Sequence, residues 1–173
     1  MVKKVTLYPG DFYFGIEGEQ VHTLLGSCIS MVLWHSILKI GGMCHFVLPR
    51  HPGKDEMDLN YLDGRYADDA MELFRRAVTA RGTKLNEYEG KIFGGSNVLG
   101  NDLVRTTKEE DLVGTRNAER ALMMLMTEGV NVTVVHVGES GHRRIIFDIA
   151  TGDVWVKHEA TNGAKIIGTS GIN

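Results

Sequence analysis

Short alternating apolar runs fill the first third of the chain, two later stretches repeat with a helical period, and alternation returns near the end. Val2 to Tyr8 reads as a first strand, with Val5 and Leu7 on one face, broken by Pro9-Gly10. Phe12 to Ile16 and Val21 to Leu25 read as the next two strands. Cys28 to Trp34 is a continuous apolar run, the pattern of a strand covered on both faces. Lys39 to Leu48 is its expected partner and closes at Pro49. From Tyr66 to Arg81 the apolar positions Tyr66, Ala70, Leu73, Phe74, Ala77 and Val78 form one helical face. Early acids and late arginines suit the helix dipole, and Gly82 suits its end. A second helix is expected over about Asn117 to Glu128, with Ala118, Ala121, Leu122, Leu125 and Met126 as its buried stripe. Lys91 to Phe93, Val130 to Val137, Arg144 to Ile149 and Val154 to Lys157 complete the strands, the last two as a hairpin around Thr151-Gly152-Asp153. The result is an α+β domain of about eight largely antiparallel or mixed strands and two main helices. One domain over 1–173 is expected, with the polar, glycine-rich segment 159–173 as a poorly ordered tail.

Composition narrows the class. The chain has 21 glycines and 3 prolines, which fits many tight turns between short strands. A net charge of −3 argues against nucleic-acid binding through a basic field. The start of the chain lacks the apolar core of a signal peptide, and no run approaches the roughly 18 apolar residues of a membrane span. A reducing cytoplasm without membrane insertion is therefore expected. There the two cysteines, Cys28 and Cys44, are free thiols rather than a disulfide framework.

One stretch carries candidate chemistry. Thr23-Leu24-Leu25-Gly26-Ser27-Cys28 ends a strand on two small residues and a cysteine. Gly26 and Ser27 let the backbone turn sharply and let a substrate approach it. A hairpin turning near Ser36-Ile37-Leu38 brings Cys28 opposite His45 or one of its neighbours, where opposed Cβ atoms lie about 4.5–5.5 Å apart. Cys44 then points to the other face. An imidazole beside a thiol can take its proton to give a thiolate–imidazolium pair. Thr23 is a candidate to hold the second ring nitrogen, and the Cys28 amide is a candidate oxyanion donor. Spacing alone leaves a second reading open: a small buried hydrophobe next to a satisfied core histidine. Cys28, Cys44 and His45 lack the paired spacing of zinc ligands, so no metal and no cofactor is expected.

Other motifs read as structural. Gly94-Gly95 is expected to be a tight turn near the active site, and Arg116-Asn117 a capping and packing element. Arg143-Arg144 is expected to be a solvated or ion-paired strand edge. The polar loop His51 to Gly64 and the turn Gly138 to Gly141 are candidate recognition elements.

Thr23 to Cys28, followed by Gly41-Gly42-Met43-Cys44-His45-Phe46-Val47-Leu48-Pro49, closely resembles the signature of the CheD family of chemoreceptor glutamine deamidases. Phe93-Gly94-Gly95-Ser96-Asn97, Val113-Gly114-Thr115-Arg116-Asn117 and Gly138 to Phe147 resemble further family segments in the same order. The resemblance runs from about Val5 to Lys157. It implies a catalytic core similar to that of cytotoxic necrotizing factor, with Cys28 as nucleophile, His45 as base and Thr23 orienting the histidine. It also implies a protein-glutamine glutaminase converting glutamine side chains of methyl-accepting chemotaxis receptors to glutamate through a thioester, with receptor methyl esters as further substrates. A CheC-type phosphatase of phosphorylated CheY is an implied partner, and a purely regulatory module for that phosphatase is the alternative. Ser96 stands where the family usually has alanine. Glu139, Ser140 and His142 also depart from its pattern.

Overall fold

The computed structural model describes residues 1–52, 58–97 and 112–160, together with the backbone of 163–169. Among the described residues, ten strands and two α-helices run in the order β1 (Lys3–Thr6), β2 (Phe12–Ile16), β3 (Glu19–Leu25), β4 (Ile29–His35), β5 (Ile40–Cys44), α1 (Ala67–Ala80), β6 (Glu89–Gly94), α2 (Val113–Thr127), β7 (Asn131–Val137), β8 (His142–Asp148), β9 (Val154–Ala160) and β10 (Gly163–Thr169). They form two five-stranded sheets, ordered β1-β3-β8-β9-β10 and β2-β5-β4-β6-β7. Pairing is antiparallel except at β1–β3 and β6–β7, so both sheets are mixed, as expected from the sequence.

The layers follow from the burial pattern. All seven residues of β4 are buried, because the strand is covered on both faces. Val32 and Trp34 on one face, with Met43 of β5, pack against Val21, Leu25, Ile145, Phe147, Val154 and Val156 of the other sheet. Ile29, Met31 and Leu33 on the opposite face pack with Cys44 and Phe46 against Ala70, Phe74, Ala121 and Leu125 of the helices. The order is therefore sheet, sheet, helices, with an apolar core at each interface. The inter-sheet gap is filled closely: a Cβ on Gly41 would come within 2.9 Å of the Phe147 ring.

Two differences from the sequence expectation have physical causes. The segment expected as a tail from Glu159 instead finishes β9 and includes β10. All seven β10 residues pair with β9, and a backbone ladder of this kind needs no apolar run. Helix α2 starts four residues before the expected Asn117. Its first turn packs on the Gly94–Ser96 segment, where a Cβ on Gly114 would lie 2.4 Å from the Gly95 carbonyl oxygen. Glycine is a poor helix former, but here it permits that contact. Of the polar loop His51–Gly64, residues 53–57 lie outside the described residues. No helix among the described residues is long and apolar enough to cross a membrane.

Phe147, fully buried between the sheets, provides a test of this packing. Phe147→Ala is expected to cost about 3–5 kcal/mol of unfolding free energy, read by urea denaturation.

Candidate active site

Thr23 is the fifth residue of β3, on the face turned to the second sheet, and His45 follows directly after β5. Both are buried, at 3% and 2% exposure. Thr23 Oγ1 lies 2.8 Å from His45 Nδ1 and 2.8 Å from the Leu7 carbonyl oxygen. A hydroxyl has one hydrogen to give. A carbonyl can only accept, so Thr23 donates to Leu7 and must accept from His45. The neutral ring therefore carries its proton on Nδ1 and keeps the lone pair on Nε2. That nitrogen is buried with no hydrogen-bond partner among the described residues, Cys28 Sγ included. The backbone of His45 is held separately: its amide donates to the Asp11 carbonyl at 3.1 Å, and its carbonyl accepts from the Gly10 amide at 2.8 Å.

Cys28 sits in the link between β3 and β4. Ile29 and Phe46 are directly opposed and exchange both backbone hydrogen bonds, at 3.0 and 2.9 Å. One step further out, Cys28 falls across from Val47 and diagonal to His45. The register is thus displaced by two residues from a direct Cys28–His45 pair. A displacement of two preserves the side-chain face, whereas one would reverse it. Accordingly, Cys28 packs at the edge of the inter-sheet core, on the side where His45 reaches Thr23. Diagonal neighbours are about 7–8 Å apart at Cα, within reach of long side chains. Cys44 points to the helix side and is fully buried, with its thiol pushed up to about 12 by burial.

The loop carrying Cys28 has every carbonyl engaged. Gly26 O accepts from the Ser96 amide at 3.0 Å and Cys28 O from the Gly95 amide at 2.9 Å. Ser27 O accepts from Asn117 Nδ2 at 3.0 Å. Gly94 and Gly95 adopt positive φ angles, and a Cβ on Gly94 would sit 2.1 Å from the Cys28 carbonyl oxygen. The tight turn expected at Gly94-Gly95 is thus built against the cysteine. Gly26, Ser27 and Cys28 are each half-buried, so the loop is reachable from outside.

Burial sets the protonation of the pair. It pushes the Cys28 thiol up, while its own amide pulls it down. Burial also lowers His45 to about 4, with the Asp11 carboxylate acting in the opposite direction. Both groups are therefore neutral at rest near pH 7. Burial thus disfavours the thiolate–imidazolium pair in the resting site.

Two residues were misread by sequence reasoning, Asn117 only in part. Arg143 is not a solvated edge: it is 1% exposed and is the largest fully buried side chain among the described residues. Its guanidinium donates to His136 Nδ1 at 2.9 Å, Ser96 Oγ at 2.8 Å, Gly138 O at 2.8 Å and Gly94 O at 3.2 Å. The departure from alanine at Ser96 thus supplies an acceptor for Arg143. Alternation with Ile145 and Phe147 was the available signal, since all three share the inward face of β8. Arg144 is exposed. Asn117 packs as expected but does not cap, because α2 has already begun at Val113. Its position four residues before Ala121 and eight before Leu125, on the buried stripe, was the signal for an inward polar group. A cavity of about 510 Å³ lies between Leu48–Pro52 and the α2 residues Val113, Arg116 and Arg120. Thr23, Cys28 and His45 do not line it.

No group of three or more His, Cys, Asp or Glu residues suited to a metal ion occurs among the described residues. The family model described as CheD chemotactic sensory transduction matches residues 47–158. A Dechloromonas aromatica protein named probable chemoreceptor glutamine deamidase CheD 3 is 40% identical, over 94% of this chain and 92% of its own. A Pseudomonas syringae pv. tomato protein named probable chemoreceptor glutamine deamidase CheD is 38% identical, over 90% of this chain and 89% of its own. A Leptospira interrogans protein with the name probable chemoreceptor glutamine deamidase CheD 1 is 33% identical, over 87% of this chain and 90% of its own.

The His45 assignment is open to NMR. Long-range ¹H–¹⁵N spectra are expected to show a neutral ring protonated on Nδ1 at pH 7, titrating near 4. The folded value lies below the ordinary 6.5, so the unfolded chain binds this proton first as pH falls. The contribution of His45 to stability is then complete above pH 6.5 and declines as pH drops toward 4. A ring that titrates at its ordinary value, or is protonated on Nε2, contradicts the assignment.

Proposed function

The chain belongs to the CheD family of chemoreceptor glutamine deamidases, and from that premise we propose that it hydrolyses receptor glutamine carboxamides through a thioester on Cys28. The observation that carries the site assignment is the Thr23–His45 hydrogen bond, which leaves an unpartnered basic nitrogen on the face that Cys28 shares.

The steps follow from the groups present. As Cys28 Sγ attacks the carboxamide carbon, His45 Nε2 takes the thiol proton. The negative charge forming on the amide oxygen is met by the Cys28 amide N–H. Thr23 keeps the ring oriented by accepting from Nδ1–H, which stays protonated when the ring becomes imidazolium. The tetrahedral species collapses, the C–N bond breaks, and His45 returns the proton to the leaving nitrogen as ammonia departs. Water then attacks the thioester, giving its proton to Nε2. Breaking the C–S bond frees glutamate, and the thiolate recovers its proton from the ring. A glutamyl methyl ester fits the same sequence with methanol leaving in place of ammonia. The resting pair is neutral, so the thiol loses its proton only as attack proceeds, and this proton transfer is part of the barrier.

The uncharged hydroxyl of Thr23 fits this role. It orients the imidazole without adding a fixed negative charge, which is consistent with the low His45 value. Regulation of a CheC-type phosphatase would require none of the three groups, so variants at these positions separate the two readings.

Mass spectrometry of a receptor cytoplasmic fragment tests the reaction. Wild-type protein is expected to convert specific glutamines to glutamates with release of ammonia. Cys28→Ala and His45→Ala are expected to abolish conversion while the fold, checked by circular dichroism, is retained. Thr23→Val, which removes the acceptor for Nδ1–H, is expected to lower kcat on the order of 10²-fold. Full activity in Cys28→Ala or His45→Ala would overturn the proposal.

A further inference from the structure

Asn117 is fully buried in α2, yet its side chain reaches out of the helix to two other parts of the chain. Nδ2 donates to Ser27 O at 3.0 Å and to Val47 O at 2.8 Å. Both partners are carbonyls, which can only accept, so the amide is oriented by its surroundings. Oδ1 has no hydrogen-bond partner among the described residues. A buried amide with an unmet acceptor is costly, and a leucine or alanine would fill an apolar helix stripe without that cost. Its two donated bonds are therefore where a purpose is to be sought.

Those bonds act through peptide planarity. In a trans peptide the C=O and the following N–H point in opposite directions. Holding Ser27 O toward α2 turns the Cys28 N–H away from α2. The Ser96 amide does the same one residue earlier: it holds Gly26 O and turns the Ser27 N–H away. Among the described residues neither the Ser27 nor the Cys28 amide donates to another residue, and the Cys28 amide faces only its own thiol. Two successive donors are thus presented at a half-buried loop beside the thiol. The second bond of Asn117, to Val47 O, anchors the clamp to the segment just past His45. His45 itself does not depend on Asn117, since Thr23, Gly10 and Asp11 hold it.

We propose that Asn117 is a positioning residue for the oxyanion hole: by fixing Ser27 O it aims the Cys28 N–H at the oxygen of the tetrahedral intermediate. This rests on Cys28 being the nucleophile. Asn117 touches no reacting atom. Its effect is confined to steps in which charge develops on the substrate oxygen, and it does not extend to the nucleophilicity of the thiol.

That separation supplies the test. Asn117→Asp is nearly isosteric but replaces the donor with an oxygen facing two carbonyls, and Asn117→Ala removes the group. For each, kcat and KM for deamidation of a receptor fragment are compared with the rate of Cys28 alkylation by iodoacetamide. Alkylation needs the thiolate but builds no oxyanion. The expected result is a fall in kcat on the order of 10²-fold or more, with KM little changed and alkylation close to wild type. Unchanged kcat, or alkylation falling in step with kcat, overturns the proposal. Activity retained in Cys28→Ala would instead remove the reading on which it rests. Should both Asn117 variants fail to fold, the wild-type protein still decides the matter. A peptide bearing glutamate γ-semialdehyde adds Cys28 Sγ to its carbonyl carbon, with the thiol proton passing to oxygen. Formation of this hemithioacetal is expected to move the Cys28 amide proton downfield in ¹H–¹⁵N spectra. An unmoved resonance overturns the proposal.

Discussion

A hydroxyl has a single hydrogen, and the arrangement of this site follows from where Thr23 spends it. Leu7 O takes it, so His45 must come to Thr23 as a donor through Nδ1. The tautomer follows, and with it the location of the basic lone pair. The same contact spans the two sheets, joining β3 of one to the residue after β5 of the other. Inter-sheet packing and imidazole orientation are therefore one structural fact. A net hydrogen bond contributes only about 1 kcal/mol to stability, so its value lies in what it orients. The apolar residues around it supply the stability and also the low polarity that keeps His45 neutral.

The second constraint is the planarity of the peptide unit. The Gly26–Cys28 link has no ladder of its own, so loose carbonyls would leave its amides free to rotate. Three donors remove that freedom: the Ser96 and Gly95 amides and the Asn117 side chain. The Gly94–Ser96 turn is in turn braced by Arg143, whose guanidinium donates to Gly94 O and Ser96 Oγ. Elements far apart in the chain, β8 and α2, thus meet at one short loop. Glycine at 94 is required twice over, by its positive φ and by the Cys28 carbonyl lying where a Cβ would go.

The residues that read most clearly along the chain are those whose environment is set by period. The buried run of β4, the α1 face and the opposite orientations of Cys28 and Cys44 all follow from side-chain alternation or helical spacing. Arg143 and Asn117 obey the same periods, but polarity argued for the surface and obscured them. Each is inward by position and polar by type. Such a combination persists where the group is needed to satisfy backbone carbonyls that no apolar side chain could satisfy. β10 was illegible for the opposite reason, since backbone pairing supplies its partner and no apolar pattern need announce it.

The sequence by itself determined the α+β class, the two helices and the pairing of β4 with β5, and it singled out Thr23, Cys28 and His45 as the candidate set. These are local or near-neighbour properties, carried by hydrophobic period and by motif order. Tertiary structure alone decided which sheet each strand joined, the two-residue displacement of Cys28 from His45, and the neutral state of both. It alone decided, too, that Asn117 and Arg143 serve the cysteine loop. Each of these depends on donors and acceptors brought together across 16 to 90 residues of chain. No periodicity within a segment encodes a partner at that distance, because the partner is fixed only when the layers pack.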